Sequence, residues 1–144
     1  MFASIALAAV LIATTVMFHY EGLRILYAVT QSTRLKVARA NILIVIFTVM
    51  ALHLIEIGLY GIAYWYGDLV LNIGDFAGRA VTMRDYMYFS AESFTTLGLG
   101  DIYPVGDLRL IASVESLNGL LLLAWSGSFT YIAMRKHWDN AAGA

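Results

Sequence analysis

Cysteine is absent from the 144 residues, so the chain has neither disulfide bonds nor thiolate metal sites. Charged residues are scarce, because Asp, Glu, Lys and Arg make up only 13% of the chain while 60% is hydrophobic. Soluble domains usually have about twice that share of charge, so much of this surface must face something other than water. The formal net charge of −1 lacks the basic excess typical of nucleic-acid-binding domains. The composition therefore predicts a membrane protein with no nucleic-acid partner.

Proline occurs once, at Pro104, and no internal repeat or low-complexity segment is present. The length suffices for one domain, and we expect no attached ligand-binding module. Three long apolar segments remain, each near the roughly 20 residues that a helix needs to cross a bilayer. We predict a first helix over about 3–29, an outer helix over 41–66 and an inner helix over 108–134.

A cleaved signal peptide is the alternative interpretation of the first apolar segment. Such a peptide would begin with a basic region, and no Lys or Arg precedes Arg24, which favours a retained helix. Positions 30–40 contain basic residues and no acidic one, and a second basic cluster ends the third helix. Basic residues favour the cytoplasmic side, so we expect the C-terminus inside and the N-terminus and loop 67–84 outside. The basic residues are Arg34, Lys36, Arg39, Arg135 and Lys136. The predicted location is the plasma or inner membrane.

A glycine motif lies between the second and third apolar segments. A short helix is predicted over 85–95, with Asp85 as its N-cap, and its roughly 10 residues cover about half a bilayer. The motif Thr95-Thr96-Leu97-Gly98-Leu99-Gly100-Asp101 follows at once. Glycine tolerates positive φ, so alternate peptide planes can turn and successive carbonyls can point the same way. A ring of such carbonyls, one strand from each subunit, can replace the water around a cation.

This motif resembles the Thr-Val-Gly-Tyr-Gly-Asp filter of potassium channels, and the resemblance runs from about Tyr86 to Met134. The chain resembles the two-helix pore family with one extra N-terminal span, which implies an all-α membrane protein with three transmembrane helices in total, a re-entrant pore helix and a selectivity filter at 96–101. The N-terminal helix and basic loop would occupy 1–40, and the pore domain 41–144. One chain supplies one filter strand, so the family implies a homotetramer about a cyclic axis.

The same resemblance assigns an ion site that would hold K⁺. It implies no other cofactor and no enzymatic activity for the protein. The carbonyls of Thr96, Leu97, Gly98 and Leu99 would bind the ions, with the Thr96 hydroxyl innermost. Tyr88-Phe89-Ser90-Ala91-Glu92 resembles an arrangement in which a glutamate behind the filter shares a proton with the filter aspartate. Glu92 would then pair with Asp101, and contact with water or headgroups is the alternative. Asp101 and Asp107 would attract cations to the outer mouth.

The inner helix should line the lower pore. Gly119 stands where the family has its hinge glycine, and bending and close packing remain equally open. By the same carry-over, four residues would face the cavity or its cytoplasmic neck, with a constriction at the last of them. These residues are Leu120, Leu123, Gly127 and Tyr131.

A few ionisable residues interrupt the apolar segments. Glu115 is expected to make a structural contact with a neighbouring helix or the pore helix. His53 and Glu56 lie three apart on one helical face, and an interhelical polar contact is favoured over a metal or proton site. The sequence shows no further ligand at metal spacing. His19 and Glu21 are expected to meet water near a membrane face.

The predicted function is a small tetrameric cation channel, selective for potassium and passive. No span carries arginines at every third position, so no voltage sensor is predicted, and the sequence does not indicate the gating stimulus. Leu99 stands where the family usually has tyrosine or phenylalanine, so a nonselective monovalent cation channel is the first alternative. A subunit of a potassium transporter and a non-conducting membrane scaffold are the others.

Overall fold

The computed structural model describes residues 1–32, 38–78 and 81–142. Most of them are helical, and three helices are long and apolar enough to cross a membrane. In chain order the elements are α1 (Phe2–Ser32), α2 (Ala38–Leu69), β1 (Gly74–Ala77), α3 (Met83–Phe94), β2 (Tyr103–Gly106) and α4 (Leu108–Ala142). The mostly helical class and the three candidate spans, α1, α2 and α4, are therefore confirmed.

The helix ends extend beyond the predicted ones. The second helix runs to Leu69 rather than 66, and the third continues to Ala142 rather than 134. The sidedness prediction rests mainly on Arg34 and Lys36, which lie outside the described residues, as do the side chains of Arg39 and Lys136.

One short strand, β1, replaces part of the loop predicted at 67–84, and a second, β2, follows the glycine motif. They pair antiparallel, with Gly74 opposite Gly106 and Ala77 opposite Tyr103. The buried ring of Phe76 meets Phe89 edge-on, with ring centroids 5.0 Å apart. The ribbon therefore fastens the chain that leaves the glycine motif to the segment that precedes α3.

The short helix α3 begins two residues earlier than predicted, and its N-cap is Thr82 rather than Asp85. The Thr82 backbone N–H and hydroxyl both donate to the Asp85 carboxylate at 2.7 Å. Asp85 thus occupies the third helical position of a capping box and reaches back to the cap. The prediction that Asp85 is the N-cap is therefore wrong, because the cap lies three residues earlier, at Thr82.

Polar side chains join the three long helices at one buried point. The Asn118 amide of α4 donates to the Thr15 hydroxyl of α1 at 2.8 Å and to the Tyr60 hydroxyl of α2 at 3.1 Å. Asn118, Thr15 and Tyr60 are all buried. Lipid tails are as apolar as leucine, so packing and interhelical hydrogen bonds must hold such helices together.

Asn118→Ala should lower the free energy of unfolding by about 1–2 kcal/mol, because two interhelical hydrogen bonds are lost. Thermal unfolding in detergent micelles measures the change. Ser113→Ala is the matched control on the same helix, since the Ser113 hydroxyl donates to the Arg109 carbonyl within α4. Equal losses in the two variants would contradict the interhelical role of Asn118.

Candidate functional site

The glycine motif after α3 has an alternating backbone. Thr96, Gly98 and Gly100 have φ values of 58°, 59° and 77°, whereas Leu97 and Leu99 between them have negative φ. This alternation is what successive peptide planes need if their carbonyls are to share one side of the strand. The glycines were predicted to take it, but Thr96 was not. A β-branched residue with positive φ is a rare outlier that costs about 1–2 kcal/mol and marks strain at functional sites.

The short helix α3 holds the first residues of this strand by backbone hydrogen bonds. Thr96 N–H donates to the Ser93 carbonyl at 3.0 Å, and Leu97 N–H donates to the Glu92 carbonyl at 2.8 Å. The Glu92 side chain adds a third contact, because its carboxylate accepts the Leu99 N–H at 3.0 Å. Only 3% of Glu92 is exposed, so this bond is shielded from water. The Glu92 carboxylate therefore supports the strand directly, by binding the backbone N–H of Leu99.

The acidic residue at the end of the motif has another partner. Asp101 accepts a hydrogen bond from the Tyr88 hydroxyl of α3 at 3.1 Å. In this single chain, Glu92 and Asp101 thus bind different groups, and the shared proton between them stays a prediction. The sequence pattern places the carboxyls of Glu92 and Asp101 near the same strand. It does not show that the Glu92 carboxylate binds the Leu99 N–H.

One side of the strand is left uncovered by the chain itself. Leu97 and Leu99 are 63% and 60% exposed, although both are large and apolar. A Cβ atom built on Gly98 or Gly100 would meet no heavy atom within 4 Å. All four residues predicted to bind ions, Thr96, Leu97, Gly98 and Leu99, are therefore exposed in the single chain.

Glu115 of α4 holds the short helix α3 in place. Its buried carboxylate accepts the Ser90 hydroxyl of α3 at 2.6 Å and also the Tyr64 hydroxyl of α2. The Ser90 hydroxyl lies 2.8 Å from the Ile57 carbonyl of α2 as well. The predicted structural contact between Glu115 and the pore helix is confirmed.

His19 differs from its prediction, because it is fully buried rather than exposed to water. Its Nδ1 lies 2.8 Å from the Glu56 carboxylate, and His53 Nδ1 lies 2.9 Å from the other oxygen of that carboxylate. The interhelical contact expected of Glu56 is thus confirmed, with a partner on α1 that the sequence did not indicate. Glu21 behaves as expected: it is exposed and lies 2.6 Å from Arg24.

Asp107, expected to add charge at the mouth, is bound by the beginning of α1. It contacts the Met1 amino group and accepts the Ser4 hydroxyl at 3.0 Å. These contacts, that of the amino group first, hold the pKa of Asp107 below its ordinary value. The beginning of α1 therefore lies at the same end of the molecule as β2, and the charge of Asp107 is largely matched.

Comparison with known proteins identifies the family. A family model described as "Ion channel" matches residues 41–136, which is more than half of the chain. The chain belongs to this ion channel family. The resemblance to the potassium channel pore family, inferred from the filter and pore helix, is thereby confirmed.

One curated relative of this channel chain is the inward rectifier potassium channel Kirbac3.1 of Paramagnetospirillum magnetotacticum. It is 31% identical over 85 residues, which cover 58% of this chain and 27% of the relative. The chain therefore spans just over a quarter of that relative's length. No solved structure is similar enough to count as a match.

Within this channel chain, the inner-helix glycines have different surroundings. A Cβ on Gly119 would lie 2.3 Å from the Phe94 carbonyl at the end of the pore helix, whereas one on Gly127 would meet nothing within 4 Å. Close packing thus explains Gly119 in this structure. Leu123 is half-buried, while Gly127 and Tyr131 are exposed along the same helix. Their predicted place in the inner pore stays a prediction.

Glu92→Ala should destabilise the strand from Thr96 to Gly100, because the Leu99 N–H loses its buried acceptor. Glu92→Gln keeps an amide oxygen for that bond but loses the charge. We expect single-channel recordings of the Ala variant to show conducting periods shortened about 10-fold, as a loss of about 1.4 kcal/mol would produce. The Gln variant should retain most of the wild-type lifetime. The opposite order would show that the charge, and not the backbone bond, matters.

Gly119→Ala should separate α4 from the end of α3, because the new methyl group would overlap the Phe94 carbonyl. Overpacking of this kind typically costs about 1–3 kcal/mol. Gly127→Ala is the matched control, and it should be neutral or slightly stabilising because alanine is the better helix former. Melting temperatures of the two purified variants provide the measurement, and equal values would contradict the close contact.

Proposed function

We propose that this chain is the subunit of a homotetrameric channel that conducts K⁺ passively across a membrane. The alternating φ values of Thr96, Gly98 and Gly100 carry the proposal, because they suit a strand whose carbonyls bind dehydrated cations. Membership of the ion channel family makes conduction the natural use of such a strand. The potassium channel among its relatives favours K⁺ over other cations.

What a single chain lacks supports the proposed tetramer. A single strand cannot enclose an ion, and non-helical backbone survives at membrane depth only inside protein or along a water-filled cavity. Four copies about one axis would cover Leu97 and Leu99, which are mostly exposed in the single chain. Each copy would contribute the carbonyls of Thr96, Leu97, Gly98 and Leu99 to successive rings, with the Thr96 hydroxyl innermost.

In this arrangement α3 is a re-entrant pore helix. Its C-terminal end, near Phe94, would point the negative end of its dipole at the ion cavity below the filter. Asp101 would mark the outer mouth, with the N-terminus outside and the C-terminus cytoplasmic in the plasma or inner membrane. The contact of Ser4 with Asp107 is consistent with the N-terminus on the side of that mouth.

A nonselective monovalent cation channel is the second candidate, and Leu99 is the observation that favours it. Its backbone N–H is held by Glu92, but its side chain has no hydroxyl that could fix the width of the filter. The apolar packing of leucine remains, while a directional bond to the surrounding protein is lost. Selectivity would then rest on the backbone and on Glu92.

Reconstitution of the full chain into liposomes tests the proposal. With a K⁺ gradient we expect flux through tetramers, and with K⁺ opposed to Na⁺ a reversal potential close to that of K⁺. Gly98→Ala should abolish flux, because its φ of +59° is unfavourable for alanine by about 1–2 kcal/mol in each of four subunits. Gly58→Ala is the control, since its Cβ would meet nothing within 4 Å.

Each other outcome identifies a rival. A reversal potential near zero with K⁺ opposed to Na⁺ would establish the nonselective channel. Flux that requires a second, coupled ion would favour a transporter subunit. Native mass measurements that show folded tetramers without any current would favour the scaffold, and full flux through Gly98→Ala would contradict the carbonyl filter.

A further inference from the structure

A second cluster of ionisable groups lies away from the filter, where α1, α2 and α4 meet. The Glu56 carboxylate of α2 receives one imidazole on each oxygen, His19 of α1 at 2.8 Å and His53 of α2 at 2.9 Å. The two rings stack with centroids 5.3 Å apart. His19 and Glu56 are fully buried, and the side chain of His53 is 12% exposed.

The charge of this cluster is unbalanced when both imidazoles are neutral. Each ring can donate its Nδ1 proton to Glu56, yet the carboxylate keeps its full negative charge among apolar side chains. A buried charge is costly unless an opposite charge accompanies it. Inside a membrane span such groups are rare and usually functional. A cation held among the three side chains would remove the imbalance.

We propose that His19, His53 and Glu56 form a binding site for a divalent transition-metal ion of the Zn²⁺ class. One ligand atom from each of the three residues lies within 4.8 Å of the others. Imidazole nitrogen with carboxylate oxygen is a common ligand set for Zn²⁺, at distances of about 2.0–2.2 Å. Small side-chain movements would bring the three atoms to those distances, with each imidazole in its neutral tautomer that carries the proton on Nε2 and leaves Nδ1 free to bind.

The surroundings of the two rings fit the proposal. The Ser126 hydroxyl of α4 lies 3.1 Å from His19 Nε2. When the proton of the His19 ring is on Nε2, this hydroxyl can accept the Nε2–H, and Nδ1 is then free to bind the metal. His53 Nε2 is buried and has no hydrogen-bond partner among the described residues, so a water in the adjoining groove would accept its N–H when Nδ1 binds the ion. His53 also lines a groove of about 580 Å³ between α2 and α4, together with Leu123 and Ser126. The groove leaves room beside His53 for a water ligand.

The ligands come from two parts of the chain. His53 and Glu56 lie within the part that matches the ion channel family, whereas His19 belongs to α1, which precedes residue 41. A bound ion would therefore fasten α1 to the channel domain. Such a site would not depend on K⁺ conduction.

Co²⁺ binding to the purified full chain in detergent tests the site, because protein ligands give Co²⁺ a visible absorption spectrum. We expect about one Co²⁺ per chain for the wild type and loss of that absorption in His19→Ala and His53→Ala. His137→Ala is the matched control, since it removes the third histidine of the sequence and should bind normally. Zn²⁺ should displace Co²⁺ and raise the melting temperature of the wild type.

Two further variants separate binding from folding. Ser126→Ala should keep the site and weaken Co²⁺ binding about 10-fold, as loss of a group that orients a ligand does. Glu56→Gln should abolish binding even where its melting temperature without metal matches the wild type. A folded wild type without Co²⁺ absorption would overturn the proposal. A proton rather than a metal ion would then balance the charge of Glu56. Absorption that persists in His53→Ala would overturn it as well.

Discussion

Backbone without regular hydrogen bonds needs partners from the protein around it, and this constraint organises the molecule. The strand from Thr96 to Gly100 is such a backbone. α3 supports it with two carbonyls and the Glu92 carboxylate, and the ribbon of β1 and β2 holds the chain that follows it. α3 is in turn held by Glu115 through Ser90, and Gly119 lets α4 touch its last carbonyl. The buried polar groups behind the strand are therefore parts of one support.

The sequence was sufficient for features that depend on local patterns. Long apolar runs predicted the spans, and alternating glycines predicted the unusual backbone at Gly98 and Gly100. Thr96 adopts the same backbone although a β-branched residue disfavours it, so only its neighbours can impose it. The two strands escaped prediction because four residues each are too short to show a period of two. Thr82 was overlooked as the cap because Asp85 satisfies it from within the helix.

Contacts between the long helices were harder to predict, for a different reason. Helices that are apolar on all sides carry no stripe to mark the buried face. His19 and Asn118 therefore looked like isolated polar residues, and nothing showed that they meet Glu56 and Thr15. Gly119 and Gly127 illustrate the same limit, since one glycine fills a tight contact and the other faces open space. Identical residues on one helix differ only through what lies opposite.

The helix α1 touches α4 at three levels. Ser4 meets Asp107 at one end, Thr15 meets Asn118 near the middle, and His19 meets Ser126 farther along. Three attachments at different heights resist both sliding and twisting between the two rods. If the C-terminal part of α4 moves outward, α1 must move with it or lose these three hydrogen bonds one after another. The first helix, α1, would therefore determine how easily α4 can move.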